Sequence, residues 1–339
     1  MNGNEIINRT KKAVETTANI AKGGVDISKE ACEKFEKMVV DQLDQNGDGK
    51  LNIDDLIIKA VKMPGVHIDR ASFLRRELFK NHPKAVIDKA IETTPAEAGI
   101  PAAEIDRIAD AVIRLERSGV SGISAALGAA GGWAMAATIP ADIIQYYGYT
   151  LRAVQKLLYL YGFPEIDGEE EGIQLDSETL NEIILCLGVM NGVAGANTAI
   201  KAMAKALADG VEKQLMKKAL TQGTIYPIVK QVMKWFGVTL TKATFAGVLK
   251  KAIPVVGGVI GGGITFATFR PCCLRLKEVL QDTMLSNPNH VSSASEDLIA
   301  NCIATGEVIE GVFEECEPEE PKSETEPAAP SEDPTEGEK

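Results

Sequence analysis

The sequence predicts an all-α protein in which a helical bundle-like core with Gly/Ala-rich buried helices is preceded by a helix–loop–helix module. Apolar residues recur at helical spacing along much of the chain. No run alternates polar and apolar residues for long enough to form a sheet. Three long stretches without a charged residue are rich in Gly and Ala, which is typical of closely packed buried helices.

The first helices are predicted at residues 4–22 and 27–43. In the second of them apolar side chains recur at steps of four and therefore share one face: Ile27, Ala31, Phe35, Val39 and Leu43. Further helical segments follow a polar loop and are separated by Gly and Pro. We predict these helices at 54–62, 69–80, 83–92, 101–117 and 291–313.

The uncharged stretches cover residues 118–141, 183–200 and 252–269. Eighteen or more uncharged residues are enough to span a bilayer, so an integral membrane protein is one alternative. Their richness in Gly and Ala gives only a modest transfer energy into lipid, and Asn191 makes the second stretch more polar. We therefore favour buried central helices, and we expect Pro140 to end the first stretch.

The loop at 44–55 follows the EF-hand pattern D-x-[DN]-x-[DN]-G. Alternate residues of a tight loop point inward and offer the hard oxygens that Ca²⁺ prefers, while Gly49 permits the sharp bend. The predicted metal ligands are Asp44, Asn46, Asp48, Lys50 through its backbone carbonyl, Asn52 directly or through water, and Asp55. The alternative is a surface turn rich in Asn, Asp and Gly.

Asp55 occupies the twelfth loop position, where the pattern has Glu. Its shorter side chain should weaken Ca²⁺ binding and makes Mg²⁺ an alternative cofactor. Residues 167–178 match the same register only coarsely, with Gln174 where an apolar residue belongs. We interpret this second segment as a solvated acidic linker.

The chain carries 48 acidic and 36 basic residues, a net charge of −12, which excludes a generic nucleic-acid binder. Residues 201–251 nevertheless hold ten lysines against two acids, with Trp235 among them. Such a segment would suit an anionic membrane surface; a solvated lysine face is the alternative. Residues 314–339 hold eleven acids, two lysines and five prolines, which predicts a disordered tail.

The N-terminus shows no basic region followed by an apolar core, so no secretory signal is predicted. The six cysteines form no CxxC pair, and we expect free thiols in a reduced cytosol. The localisation that follows is cytoplasmic, or peripheral to the inner face of the membrane.

No P-loop, G-x-S-x-G elbow, H-E-x-x-H motif or zinc spacing is present. Asp142 and Tyr146 lie in an apolar region, which leaves an enzyme or a lipid-handling protein with a site among the Gly-rich helices as an alternative. We favour a function without catalysis.

Between about residues 69 and 286 several short motifs occur in order: Ile139-Pro-Ala-Asp142, Leu151-Arg152, Tyr159-Leu-Tyr-Gly162, Leu187-Gly-Val-Met-Asn-Gly192, Ala194-Gly-Ala-Asn197, Tyr226-Pro227 with Trp235, Ile253-Pro-Val-Val-Gly-Gly258 and Ala267-Thr-Phe269. In these motifs the chain resembles the EcsC protein family, named after a component encoded with a bacterial ABC transporter. The resemblance implies a bacterial helical protein near transport or membrane processes, and it brings no catalytic residue.

We therefore expect three parts: N-terminal helices with the EF-hand-like loop at 1–64, an EcsC-like helical domain at 65–313, and the acidic tail at 314–339. The predicted function is a non-enzymatic calcium-binding protein in interaction or membrane-associated regulation. Its expected partners are an unidentified protein and an anionic membrane met by residues 201–251.

Overall fold

The computed structural model describes residues 37, 40–45, 47, 49, 51–129, 134–166, 175–237 and 257–308, without the side chains of 123–129, 134–140 and 257–267. Every regular element within these residues is a helix, so the prediction of an all-α protein is confirmed at that level. The expectations for 4–22, for most of 27–43 and for the tail lie outside the described residues.

The helices follow one another with short connections. Residues 40–43 are the end of the first, α1. The others are α2 (Ile53–Val61), α3 (Arg70–Leu78), α4 (Lys84–Glu92), α5 (Ala102–Ala129), α6 (Ala134–Leu160), α7 (Ser177–Asn191), α8 (Ala196–Ala208), α9 (Lys213–Thr221), α10 (226–237), α11 (Gly257–Gln281) and α12 (Ala294–Thr305).

Three long helices organise the core. The most extensive packing joins α5 with α11, and α5 also packs along α6. Helix α7 lies against α11 and α9, while α12 packs on α8. Helix α2 packs mainly on α6, so the segment after the predicted calcium loop is in contact with one of the central helices.

The uncharged stretch 183–200 is buried in its first half and only in part beyond it, and it forms two helices rather than one. Residues 183–190 are all buried, so this half of α7 is enclosed on every side. The chain then turns at Gly192 and Gly195, which have φ of 74° and 79°. These left-handed conformations suit glycine, and they start α8 in a new direction.

Two helices extend past the ends that local signals predict. Helix α5 continues to Ala129, whereas we predicted an end near residue 117. Helix α6 runs from Ala134 to Leu160 and so continues through Pro140, where we expected the stretch to end. An interior proline costs about 3 kcal/mol, and packing along a 27-residue helix outweighs one such local preference.

Arg70 ties three segments together from a buried position. Its guanidinium donates hydrogen bonds to the carbonyl of Phe163 after α6 and to carbonyls at the end of α4, including Ile91 (2.6 Å) and Thr93 (3.1 Å). The last carbonyls of a helix have no partner within the helix, and Arg70 satisfies them at the end of α4. Burial lowers the pKa of Arg70, although these carbonyls solvate its charge.

In the described part of the chain no helix combines the length and the apolar character needed to cross a membrane.

Candidate calcium loop and the charged groups around it

The predicted calcium loop starts where α1 ends, and its first ligand position is held by the loop backbone. The Asp44 carboxylate accepts the N–H of Gly47 at 2.7 Å and the N–H of Gly49 at 2.9 Å. Both glycines have positive φ, 76° and 75°, a conformation that side chains rarely adopt. The two glycines therefore allow the loop to fold around the carboxylate of Asp44.

Asp55, at the twelfth position, joins the two ends of the loop. It is buried in the first turn of α2 and accepts the N–H of Gln45 and the N–H of Asn52, each at 2.9 Å. A carboxylate oxygen can accept more than one hydrogen bond, so both oxygens keep capacity for a cation. The carboxylates of Asp44 and Asp55 are thus compatible with oxygen ligation of Ca²⁺ or Mg²⁺, and Asn52 is the N-cap residue of α2.

The other predicted ligands, Asn46, Asp48 and Lys50, lie outside the described residues. Within the part of the chain that is described, no group of three or more His, Cys, Asp or Glu side chains is placed to hold a metal ion.

The helix after the loop is fixed to the core through an apolar face. Ile53, Leu56 and Ile57 of α2 are at most 1% exposed, and so is Leu43 at the end of α1. The ammonium group of Lys59 donates to the backbone carbonyl of Gln42, which links α2 to the end of α1. A conformational change in the loop would therefore be transmitted to packed helices.

The segment after α2 is also held on α6, by a buried glutamine. Gln155 accepts the N–H of Ile68 and donates to the carbonyl of Val66, both at 2.9 Å. One residue earlier, the carbonyl of Gly65 accepts a hydrogen bond from the Arg152 guanidinium. Side chains at 152 and 155 of α6 thus hold the connection between α2 and α3.

Arg152 also belongs to a buried ionic cluster. Its Nε lies 3.0 Å from the carboxylate of Glu116 on α5, and the ammonium group of Lys156 contacts the same carboxylate. The side chains of Glu116 and Lys156 are 1% and 4% exposed. Burial lowers the pKa of Lys156, and the bond to Glu116 opposes this effect.

Sequence reasoning missed this cluster. The available signal was Lys156 inside the apolar run 151–163, one helical turn after Arg152. Because a buried cation needs a partner, such a lysine indicates an ion pair, but the sequence does not say which acid supplies it. Glu116 lies 40 residues away on another helix.

The alternative site around Asp142 and Tyr146 lies where α6 meets α11. The ring of Tyr146 packs edge-on against Tyr147 and Phe269, with centroids 5.6 and 6.1 Å apart. Burial raises the pKa of Tyr146 and the pKa of Cys273 on the facing helix, so both groups stay neutral at physiological pH. Such rings and a neutral thiol are typical of core packing.

Several lysines in the described part of the basic segment, 201–237, are engaged with groups from other elements. Lys201 pairs with Asp282 at the end of α11, and Lys205 pairs with Asp297 of α12 and with Asp209. Lys217 pairs with Asp176 and Glu178, which start α7, and Lys218 donates to the carbonyl of Gly306. The tertiary structure therefore offsets the charge of these four lysines.

Comparison of the chain with family models, with curated proteins and with solved structures gave no match.

Proposed function

We propose that this chain is a calcium-binding helical protein that acts without catalysis, in interaction or membrane-associated regulation at the cytoplasmic face of a membrane. The observation that carries the proposal is the loop at 44–55. Its ligand spacing is that of an EF-hand, and the Asp44 carboxylate is oriented inside it by the N–H groups of Gly47 and Gly49.

The proposed ligands are the six named from the sequence: Asp44, Asn46, Asp48, the carbonyl of Lys50, Asn52 and Asp55. When bound, the cation supplies positive charge that offsets the carboxylates gathered in the loop. Asp55, one methylene shorter than Glu and already bound to two N–H groups, is proposed as a ligand through one oxygen. This coordination should bring the loop closer to the smaller coordination number of Mg²⁺.

The finer organisation is part of the proposal. Residues 1–64 form an EF-hand-like module, 65–313 an EcsC-like helical core, and 314–339 an acidic tail. Tyr159 and Gly188, which belong to the motifs shared with the EcsC family, are buried. This burial supports the view that the resemblance to the EcsC family reflects helix packing and not a reactive site.

The calcium loop is tested by isothermal titration calorimetry of the full chain with Ca²⁺ and with Mg²⁺. We expect saturable Ca²⁺ binding by the wild type, none by Asp44→Ala, and tighter Ca²⁺ binding by Asp55→Glu. Asp41→Ala is the matched control, since Asp41 is exposed one turn before the loop. Identical titrations for the wild type and Asp44→Ala would overturn the assignment.

Binding should also stabilise the fold, because α2 is packed on α6. A ligand at about 100 times its Kd stabilises a native state by about 2.7 kcal/mol. We therefore expect Ca²⁺ to raise the midpoint of thermal unfolding of the wild type and to leave that of Asp44→Ala unchanged. This readout separates a site in the folded protein from weak binding to the acidic tail.

A further inference from the structure

One surface of the described chain combines exposed apolar side chains with exposed cations. Phe79, an aromatic residue at the end of α3, is 73% exposed. Arg75 and Arg76 precede it by four and three residues and so share its face of α3. Lys80 and Lys84 follow within five residues, and all four cations are exposed.

The surface continues onto α5. The Glu104 carboxylate accepts a hydrogen bond from the Asn81 amide at 2.6 Å and lies 3.1 Å from His82, which places the turn after Phe79 against the start of α5. One α5 face then carries Arg107, Arg114 and Leu115, which are also exposed. We call the whole set the basic surface: Arg75, Arg76, Phe79, Lys80, Lys84, Arg107, Arg114 and Leu115.

Acidic side chains near this surface are few: Glu77 and Glu104 are engaged, and Asp88, one turn after Lys84 on α4, is half-buried. Glu77 pairs with Arg76 at 3.0 Å, and Glu104 is shared by Asn81, His82 and Arg107. No carboxylate of the described residues forms an ion pair with Lys80 or Lys84. Residues 75–89 carry five cations against two acids, a net charge of +3 in a chain whose net charge is −12.

Local helix electrostatics does not account for this pattern. Cations in the last turn of α3 interact favourably with the negative end of the helix dipole, which explains Arg75 and Arg76. Lys84, in contrast, is the first residue of α4, where a cation is unfavourable and no acid of the first turn offsets it. The exposure of Phe79 has no electrostatic reason at all and leaves an apolar ring in water.

We propose that the basic surface docks on an anionic phospholipid bilayer. Charge complementarity is the first argument, because clustered Lys and Arg side chains are attracted to anionic headgroups. The second is Phe79, whose ring would enter the boundary between headgroups and acyl chains while the surrounding long cations reach back to the phosphates. A nucleic acid would bind the cations through its phosphates, but it would not require an exposed apolar ring among them.

This inference rests on the proposed membrane-associated role. It places the membrane contact on the basic surface and not on residues 201–251. Residues 201–251 were expected to meet the membrane, but Lys201, Lys205 and Lys217 are paired with carboxylates of the fold. Lys230 and Lys234 are exposed on α10, with Lys230 stacked 4.6 Å from the ring centroid of Tyr226. Substitutions in the basic surface and substitutions of Lys230 and Lys234 therefore have different expected effects on membrane binding.

The test is co-sedimentation of the full chain with vesicles of phosphatidylcholine alone and with vesicles that also contain phosphatidylserine. We expect binding to the mixed vesicles only, and weaker binding at higher salt. Each removed cation should weaken binding on the order of fivefold, so the triple variant Arg75→Glu, Lys80→Glu, Lys84→Glu should not bind. Phe79→Ser should weaken binding on the order of five- to tenfold at unchanged charge.

The matched control is the double variant Lys230→Glu, Lys234→Glu, which alters exposed lysines outside the basic surface. Because all the substituted side chains are exposed, circular dichroism spectra should match the wild type for every variant, and thermal midpoints should change only slightly, with Arg75→Glu losing a favourable contact with the helix dipole. If only the control variant lost binding, the membrane role would stand and the basic surface would be wrong. If the wild type bound no better to vesicles with phosphatidylserine, both the membrane role and the basic surface would be contradicted. The calorimetric test of the calcium loop would be unaffected.

A third arm adds RNA of mixed sequence to vesicle-bound protein. We expect no displacement. Displacement together with RNA binding that depends on the same three cations and on Phe79 would overturn the assignment to lipid.

Discussion

At the residue scale, the close approach of two helices restricts which residue type a single position can hold. Gly188 of α7 faces α10, and a Cβ atom placed there would lie 2.6 Å from a methyl carbon of Val232. Val232 is fully buried and, as a β-branched side chain, has little freedom to rotate away. Gly122 of α5 is also inside a helix, but a Cβ atom there would meet nothing within 4 Å.

We therefore expect opposite effects from the same substitution at these two glycines. Gly188→Ala should lower the free energy of unfolding by about 1–3 kcal/mol, because α7 and α10 must separate. Gly122→Ala should raise it by up to about 1 kcal/mol through the higher helix propensity of Ala. Urea unfolding of the two variants measures both, and a stabilised Gly188→Ala protein would contradict the close approach of these helices.

At the element scale, helix starts depend on caps that also make tertiary contacts. Asp176 is the N-cap of α7 and accepts the N–H of Thr179 at 2.8 Å, while its carboxylate also pairs with Lys217 of α9. Partial burial disfavours its ionised form, but the hydrogen bonds from Thr179 and Lys217 outweigh this and lower the pKa of Asp176 to about 2. Asp176 therefore caps a helix at the end of the segment 167–178, which we interpreted as a solvated acidic linker.

The low pKa of Asp176 predicts a dependence of stability on pH with a definite sign. A carboxylate whose pKa is depressed by folding stabilises the protein above its unfolded pKa, about 4, and loses this effect as pH falls through about 2. Asp176→Asn keeps a capping side chain but removes the charge. At pH 7 we expect the variant to be less stable by a few tenths to about 1 kcal/mol, since the group is partly exposed.

The measurement is the free energy of unfolding of both proteins between pH 2 and 7, a window set by those two pKa values. The difference between the wild type and Asp176→Asn should shrink as the pH falls from 4 towards 2. A difference that stays constant across this range would show that the charge of Asp176 does not stabilise the fold.

The elements also show how far local sequence predicts this fold. The existence of α2, α3 and α4 follows from apolar spacing, and their observed ends lie within two residues of the predicted ones. Helix α5 was predicted at 101–117, but its continuation to Ala129, the passage of α6 through Pro140 and the break at Gly192 were not predicted. In the first two places packing between distant helices outweighs a local signal, whereas the break is made by Gly192 and Gly195 in left-handed conformations.

At the scale of the whole molecule, the net charge of −12 is unevenly distributed. The tail at 314–339 holds eleven acids and two lysines, so it accounts for −9 and leaves only −3 on residues 1–313. Within the fold, lysines of α8 and α9 pair with acids from α7, α11 and α12. The cations of α3 and the turn after it, in contrast, remain exposed.

This distribution predicts that the tail opposes binding to anionic surfaces. Removing residues 314–339 should strengthen binding to vesicles that contain phosphatidylserine, with the larger effect at low salt, where charge repulsion is least screened. Co-sedimentation of the full and the shortened chain measures the effect. A variant with the tail acids replaced by Gln and Asn separates charge from chain length, and unchanged binding by both shortened and neutralised chains would contradict the prediction.

The sequence by itself determined the helical class, the spacing of oxygen-bearing side chains in the loop at 44–55 and the concentration of acid in the tail, because each depends on residues that are neighbours in the chain. The tertiary structure decided what distant residues do together. It placed Glu116 against Lys156 and Arg152, paired Lys201, Lys205 and Lys217 with acids distant in sequence, and left Phe79 exposed among cations. The physical reason is that burial and charge pairing depend on distances in space, which a local pattern does not contain.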